Sequence, residues 1–320
     1  MPGISRRAVL IRAGRAGLGA LGMAAIGSPK VIAPQSDSQK TRLILLGTGG
    51  GPRLTKGGRS KSATLIVAKG VPYVVDCGEG VSQQLVEAGV QLNTLRNVLI
   101  THHHSDHNLD FGNLIYNAWI SGLNTSINAY GPPPIRAMVK ANWELNKFDI
   151  ETRIADEGRP DLRRMVNVHE FTRPGVVLQN ADIKITATRV RHPPINQAYA
   201  YRFDTADRSI VISGDTAYSP ELIELARGAD VLVHEVMDRA GIESILRNVT
   251  NATTLREHLI ASHTLEEEVG KVAAAAGVKI LVLSHLVPAD DKSITDAMWA
   301  EGVRKHYNGR IIVGRDLMEI

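Results

Sequence analysis

The clearest chemical signal in the sequence is a run of ionisable residues at positions 102–107. The run reads HHHSDH and fits the pattern His-x-His-x-Asp-His, and it directly follows the apolar segment 98–100. An apolar core cannot bury so many imidazole and carboxylate groups without partners, because burying unpaired polar groups is costly. Neutral imidazole and carboxylate are ligands that zinc accepts. The run therefore predicts a transition-metal site.

The elements around the run suggest how it presents its ligands. His102 and His104 are two residues apart at the end of a predicted strand, so their side chains point to the same side. Asp106 and His107 follow in the turn before the next predicted helix. This arrangement allows two neighbouring metal ions to share one loop.

Three further candidate ligands follow other predicted strands. His192 comes after the strand at 183–190, Asp215 after the strand ending at 213, and His285 after the strand ending at 284. With the first run, they would supply enough ligands for two ions.

Apolar, β-branched segments and helical spacing define the remaining elements. Strands are predicted at 42–46, 63–68, 71–75, 97–100, 166–170, 182–190, 198–203, 209–213, 231–234, 279–284 and 310–313. Helices are predicted at 79–88, 108–121, 135–146, 220–227, 265–276 and 294–307. Strand-rich regions followed by helices, twice over, predict two β-sheets packed face to face with helices outside. The charged segment 148–165 lacks clear periodicity and is predicted to be an inserted loop or lid.

Composition and charge narrow the possible partners. The chain has 320 residues, 43% of them apolar, which is enough for a large core. The formal net charge is +4, but residues 41–320 hold 31 basic and 32 acidic residues. Binding to a phosphate backbone needs a clustered basic surface, so the composition disfavours a nucleic-acid partner. The lone cysteine, Cys77, excludes an internal disulfide.

Residues 1–40 have the features of an export signal. Residues 5–10, SRRAVL, resemble a twin-arginine motif, and a weakly apolar stretch at 13–27 follows. That stretch is too short and interrupted for a stable transmembrane helix. We predict a signal peptide and linker at 1–40, a mature domain at 41–320 without a membrane span, and passage through the twin-arginine machinery to the periplasm or the medium.

The whole pattern of ligands resembles one family. From about residue 41 to 320, the order His-x-His-x-Asp-His, His, Asp, His is similar to that of the metallo-β-lactamase superfamily, which has an α/β fold built as a four-layer αββα sandwich. The resemblance implies two Zn²⁺ ions, with Mn²⁺ or iron as alternatives. It implies that one ion is bound by His102, His104 and His192. It implies that the other is bound by Asp106, His107 and His285, with Asp215 bridging both.

Such a pair of ions implies hydrolytic chemistry. Two cations about 3.5–4 Å apart hold a water between them and lower its pKa, and the resulting hydroxide attacks an electrophilic centre. Asp106 would hold that water or accept its proton.

Further segments resemble the branch that contains ribonuclease Z and exported arylsulfatases. They are the glycine-rich stretch 46–52 and the stretch 75–80, in which Asp76 would orient the ligand loop. Glu235 and His263 resemble residues that act near the leaving group, with Glu235 orienting His263 as a general acid. The alternative is that His234 ends a buried strand and His263 merely starts a helix.

The substrate prediction depends on what the chain lacks. Only 22 residues separate His192 from Asp215, which leaves no room for the long arm that grips transfer RNA in many of these enzymes. We therefore expect a small sulfate or phosphate ester as substrate, with arylsulfatase-like activity first and phosphodiesterase-like activity second. The alternatives are a ribonuclease Z-type transfer-RNA endonuclease, a β-lactamase, a glyoxalase II-like thioesterase and a non-catalytic metal-binding protein. Segments 148–165 and 239–260 are expected to form the pocket rim, and a homodimer is left open.

Overall fold

The computed structural model describes residues 40–320. The predicted export signal lies outside the described residues apart from its last position. Within the described part of the chain, none of the helices combines the length and apolar character that crossing a membrane requires.

The first of two seven-stranded sheets is built from the first six strands of the chain and the last one. These strands are β1 Arg42–Gly47, β2 Ala63–Ala68, β3 Val71–Val75, β4 Asn97–Leu99, β5 Ile127–Gly131, β6 Val166–Glu170 and, at the end of the chain, β14 Met318–Glu319. Their order is β14-β1-β2-β3-β4-β5-β6, antiparallel as far as β3 and parallel from β3 to β6.

The second sheet repeats this plan. Its strands are β7 Gly175–Gln179, β8 Ile183–Arg189, β9 Tyr199–Thr205, β10 Ser209–Ile212, β11 Val231–Met237, β12 Ile280–Val287 and β13 Arg310–Val313. The sheet is antiparallel from β7 to β10 and parallel from β10 to β13. The carboxyl ends of the parallel strands in each sheet therefore meet at one edge, where ligands bind in open α/β sheets.

Helices flank the two sheets, most of them on the outer faces. They are α1 Val81–Glu87, α2 Ser105–Asn108, α3 Phe111–Ile120, α4 Ile135–Leu145, α5 Lys147–Glu157, α6 Pro220–Ala226, α7 Ile242–Asn248, α8 Leu255–Ser262, α9 Glu266–Ala276 and α10 Asp296–Arg304. The start of α6 shows how local sequence sets a boundary: the Ser219 hydroxyl accepts a hydrogen bond from Leu222 N, and Pro220 occupies the first turn.

Three large apolar clusters hold the layers together. The central one lies between the sheets and includes Leu45, Leu99 and Tyr201. The other two join each sheet to its outer helices, around Trp119 on the first sheet and Trp299 on the second. This arrangement confirms the predicted four-layer αββα sandwich.

The strand patterns follow from these layers. Strand β11 is buried at every residue because its sheet is covered on both faces, and its sequence is accordingly apolar almost throughout. In β8, by contrast, Ile183, Ile185 and Ala187 are buried while their neighbours are more exposed.

The prediction of a loop or lid at 148–165 was wrong. Most of the segment is α5, whose Ile150 is fully buried in the apolar cluster of the first sheet. Arg153 pairs with Asp149 and Glu157, each one helical turn away. These i,i+4 ion pairs explain the many charges, which obscured the apolar stripe in the sequence. The strand β7 and the helices α7 and α8 were also not predicted.

Candidate metal centre

The 102–107 run begins just beyond the carboxyl end of β4. His102 and His107 are almost fully buried, and Asp106 and His107 lie in the short helix α2. The run thus leaves a buried strand and turns at once, so that its side chains converge on the edge shared by the two sheets.

His102, His104 and His192 form one set of potential ligands. Nδ1 of His104 lies 3.1 Å from Nε2 of His102 and 3.0 Å from Nε2 of His192. Oδ2 of Asp215 lies 3.8 Å from Nε2 of His102 and 4.0 Å from Nε2 of His192. The structure therefore brings together the four residues that the resemblance assigned to one ion.

Asp106, His107 and His285 form a second set. Nε2 of His285 lies 3.2 Å from Oδ2 of Asp106. Oδ1 of Asp215 lies 3.2 Å from Nε2 of His107 and 3.3 Å from Nε2 of His285. Each carboxylate oxygen of Asp215 thus faces a different set, which is the geometry of a bridging ligand.

Unpaired buried atoms show that this cluster suits cations. Among the described residues, Nε2 of His107 and Oδ1 of Asp215 are buried without a hydrogen-bond partner. Buried polar groups normally have partners, and a metal ion would supply one to both atoms. Three carboxylates also converge on His107: burial lowers its pKa, but Asp215, Asp76 and Asp106 outweigh that effect and raise the pKa well above its ordinary value. The carboxylates thus require positive charge at this position.

The histidines of the first set are suited to bind metal in their neutral form. Burial, followed by the influence of His107, holds the pKa of His102 well below its ordinary value. Burial lowers the pKa of His192 to about 3. Both imidazoles are therefore neutral near pH 7, and neutral imidazole is the ligand form.

Hydrogen bonds from neighbouring residues fix the ligand orientations. Oδ2 of Asp76 accepts a hydrogen bond of 2.7 Å from Nδ1 of His107, and Oδ1 of Asp76 accepts one of 2.8 Å from Thr101 N. Nδ1 of His192 donates to the carbonyl oxygen of Ser262 over 2.9 Å. The bonds from Nδ1 of His107 and Nδ1 of His192 leave the Nε2 atom of each ring free to face the cluster, and such bonds commonly orient metal-binding histidines.

Two glycines allow the loops to approach each other. Gly214 has φ +59°, and a Cβ there would lie 2.9 Å from the carbonyl oxygen of Tyr199. A Cβ on Gly50 would lie 2.5 Å from Cγ2 of Val287 and 2.9 Å from Nδ1 of His285. The first glycine therefore lets Asp215 reach the cluster, and the second leaves room for His285.

Glu235 and His263 form a buried pair beside the second set. Nδ1 of His263 lies 3.0 Å from Oε2 of Glu235, whose Oε1 accepts a hydrogen bond of 2.8 Å from Thr216 N. Burial alone would lower the pKa of His263, but the charge of Glu235 and its hydrogen bond raise it to about 9. The pair thus keeps a proton available next to the cluster.

A cavity of about 610 Å³ opens in front of these groups. His104, Asp106, Asp215, His263 and His285 contribute to its floor, and α7 and α8 form one wall. The segment 239–260 therefore lies at the rim, as expected, whereas 148–165 lies in the outer helical layer of the first sheet.

Two histidines outside the ligand sets have distinct positions. His103 turns away from the cluster, and its Nε2 bonds to the carbonyl oxygen of Pro132 over 2.8 Å. His258, which was not predicted, lines the cavity from α8. The sequence shows only that His258 stands five residues before His263. This spacing does not place His258 at the cavity, because the position of α8 depends on tertiary packing.

The fold and this constellation define the chain as a metal-dependent hydrolase of the metallo-β-lactamase fold, acting on ester bonds. A family model described as "Anti-Pycsar protein Apyc1" matches residues 41–277, and the chain belongs to this family.

Curated relatives and solved structures add two further similarities, one in sequence and one in fold. The chain is 33% identical over 282 residues to a protein named ribonuclease Z from Mycobacterium marinum, covering 87% of this chain and 97% of the relative. A ribonuclease Z from Mycolicibacterium gilvum is 31% identical over 285 residues, covering 87% and 95%. The fold is similar to that of YhfI from Bacillus subtilis (TM-score 0.64, 21% identity, covering 88% and 98%) and of the short form of human tRNase Z (TM-score 0.63, 20% identity, covering 87% and 98%).

Proposed function

We propose that this chain is a two-metal phosphodiesterase that cleaves nucleotide phosphodiester bonds in the manner of ribonuclease Z. The observation that carries the proposal is the position of Asp215, with one carboxylate oxygen toward each ligand set, beside the Glu235–His263 pair. The relatives named ribonuclease Z support a phosphodiester over the sulfate ester that the sequence placed first.

Each of the two ions would have its own set of ligands. His102, His104 and His192 would hold one Zn²⁺, Asp106, His107 and His285 the other, and Asp215 both. When bound, the ions supply Lewis acidity and an activated water. Mn²⁺ or iron in place of zinc is an alternative that metal analysis of the purified protein distinguishes.

The chain's own groups supply the proton transfers. Asp106 lies on the cavity floor, where its carboxylate can orient the attacking water. His263 is protonated below about pH 9 and lines the same cavity, so it can donate a proton to the departing oxygen. Glu235 keeps that proton on His263 and holds the imidazole in place.

A small-ester hydrolase of the arylsulfatase type is the second candidate. One observation favours it: the connection from His192 to Asp215 consists of β9, β10 and short turns, without an arm that could grip a folded RNA. The substrate of the proposed phosphodiesterase is therefore bound within the cavity rather than along an extended arm.

One panel of assays separates these functions. Metal-loaded protein is incubated with bis-p-nitrophenyl phosphate, a precursor transfer RNA, p-nitrophenyl sulfate and nitrocefin. We expect hydrolysis of the phosphodiesters and its loss in His263→Ala. Turnover of p-nitrophenyl sulfate alone would favour the second candidate, and turnover of nitrocefin alone would refute both. Full metal binding without any turnover would indicate a non-catalytic protein.

We further propose that residues 1–40 direct export through the twin-arginine machinery. The supporting features are Arg6, Arg7 and the apolar stretch that follows them. A reporter fused behind residues 1–40 should reach the periplasm, and Arg6→Lys with Arg7→Lys should abolish this. Export that is insensitive to both changes would contradict the proposal.

A further inference from the structure

His258 lies on the cavity wall, between the metal-ligand set that includes His104 and His192 and the proposed proton donor His263. Its ring centre is 5.9 Å from that of His104, 6.1 Å from that of His192 and 6.1 Å from that of His263. Within residues 40–320, its nitrogens belong to none of the sets of three or more converging ligand atoms. His258 is therefore placed to contact the substrate rather than to hold a metal.

The hydrogen bonds of Ser262 determine which nitrogen of His258 carries the hydrogen. The Ser262 hydroxyl donates its single hydrogen to the carbonyl oxygen of Pro193 over 2.5 Å. Its Oγ also lies 3.3 Å from Nδ1 of His258. Since the hydroxyl has no second hydrogen, it must accept here, and Nδ1 of His258 donates. The neutral imidazole then carries its lone pair on Nε2.

The surroundings leave that lone pair available to a ligand. His258 lines the cavity, and Nδ1 of its ring is turned to Ser262 at the end of α8. The opposite edge of the ring, which carries Nε2, is therefore the edge left for a ligand. A carboxylate close to His258 would favour the charged form of its ring. In the described part of the chain, no carboxylate lies within 4.0 Å of the His258 nitrogens. Leu255 and Leu259, also cavity-lining, flank His258 on the same helix. Away from bulk water a hydrogen bond is strengthened, and an acceptor left without a donor is costly.

We propose that Nε2 of His258 accepts a hydrogen bond from the ribose 2′-hydroxyl beside the scissile phosphate, so that the site selects ribonucleotides. This inference rests on the proposed phosphodiesterase function. Phosphate oxygens can only accept hydrogen bonds, so they cannot satisfy an acceptor nitrogen. The donor adjacent to the phosphorus in a nucleotide diester is the 2′-hydroxyl, which is also the group that distinguishes RNA from DNA.

The test compares two dinucleoside monophosphates that differ by one oxygen atom. These are uridylyl-uridine and its analogue without the 2′-hydroxyl on the first nucleoside. The measurement is the ratio of their kcat/KM values, in which any general loss of activity in a variant cancels. The wild type should prefer the ribose form about tenfold or more, the effect of one well-placed hydrogen bond. His258→Ala should bring the ratio close to one.

Three further variants test the acceptor role of His258, its tautomer and the specificity of the effect. His258→Gln keeps an acceptor oxygen and should restore part of the preference. Ser262→Ala frees the ring to change tautomer and should lower the ratio, whereas His306→Ala, at an exposed histidine outside the site, should leave it unchanged. Circular dichroism and metal analysis verify that each variant folds and binds metal.

The outcomes that overturn the inference differ from those that overturn the proposed function. A wild-type ratio near one, a ratio that persists in His258→Ala, or failure to cleave either dinucleotide while bis-p-nitrophenyl phosphate is hydrolysed would each refute the role of His258. Failure to hydrolyse bis-p-nitrophenyl phosphate would refute the phosphodiesterase itself.

Discussion

Nδ1 of His107 donates a 2.7 Å hydrogen bond to Oδ2 of Asp76, and this bond directs Nε2 of His107 toward Oδ1 of Asp215, 3.2 Å away. Asp76 is itself held by Thr101 N and the Thr101 hydroxyl, and it adopts φ +64°. One carboxylate outside both ligand sets therefore ties the turn after β3 to the start of the ligand run.

We predict that Asp76→Asn weakens metal binding without removing a ligand. The amide cannot offer a charged acceptor to Nδ1 of His107, so the ring loses both orientation and basicity. Losing such a partner typically costs 10–100-fold in metal affinity, which competition with a chromophoric chelator measures. Asp149→Asn, on the exposed side of α5, is the matched control. Unchanged affinity in Asp76→Asn would show that the turn holds His107 by packing alone.

Asp215→Ala should remove the residue shared by both ligand sets. The bound metal should fall from two ions to about one per chain, as measured by elemental analysis after dialysis. Metal ions contribute several kcal/mol to transition-state stabilisation, so kcat/KM for bis-p-nitrophenyl phosphate should fall about a thousandfold or more. Two ions retained at full affinity would contradict the bridging geometry. Asp204→Asn, on β9 away from the cluster, provides the control.

The sequence could predict this site because most of the ligands lie near the end of a strand. His102 and Asp215 come shortly after β4 and β10, each of which has a parallel neighbour, and parallel strands bring such positions to one sheet edge. His192 follows the antiparallel strand β8, and His285 lies within β12, two residues before its end, rather than after the strand as expected. The types of the residues then indicate the metal. Both the fold class and the seven potential ligands could therefore be derived from local patterns and from the resemblance.

The remaining features depend on packing that local sequence does not reveal. The apolar stripe of α5 consists mainly of Ile150 and the half-buried Ile154 among ion-paired residues, so it lacked a clear helical signal. His258 contributes to the site only because α7 and α8 fold over the cavity, held by a small apolar cluster around Met237 and Leu259. Neither packing arrangement has a counterpart in residue spacing.

Gly50→Ala should perturb the second ligand set through steric contact. A Cβ at this position would approach Val287 and the imidazole of His285 to less than 3.0 Å, so His285 must shift. Overpacking of this kind costs about 1–3 kcal/mol, and the affinity for the second ion should fall about tenfold or more. Gly270→Ala, in α9, creates a similar clash with the carbonyl oxygen of Val303 in α10 and should lower the Tm without changing metal affinity. Equal metal affinities in wild type and Gly50→Ala would refute this prediction.

The pH dependence of catalysis should report the Glu235–His263 pair. The pKa of His263 is raised to about 9, so the imidazolium that donates the proton is present below that pH and is lost above it. The rate should therefore decline on the alkaline side near pH 9.

Glu235→Gln removes the charge that raises the pKa of His263, while burial, which lowers that pKa, remains. Asp215 and Asp106, which also raise the pKa, are still present. The alkaline limb should then move to lower pH than in the wild type, and kcat at pH 8 should fall by up to about 10²-fold, in line with the loss of a general acid. Glu221→Gln, at an exposed carboxylate in α6, should keep the wild-type profile. A profile of kcat against pH, recorded with full metal occupancy at each point, decides the matter: if the alkaline limb of Glu235→Gln coincides with that of the wild type, His263 is not the proton donor.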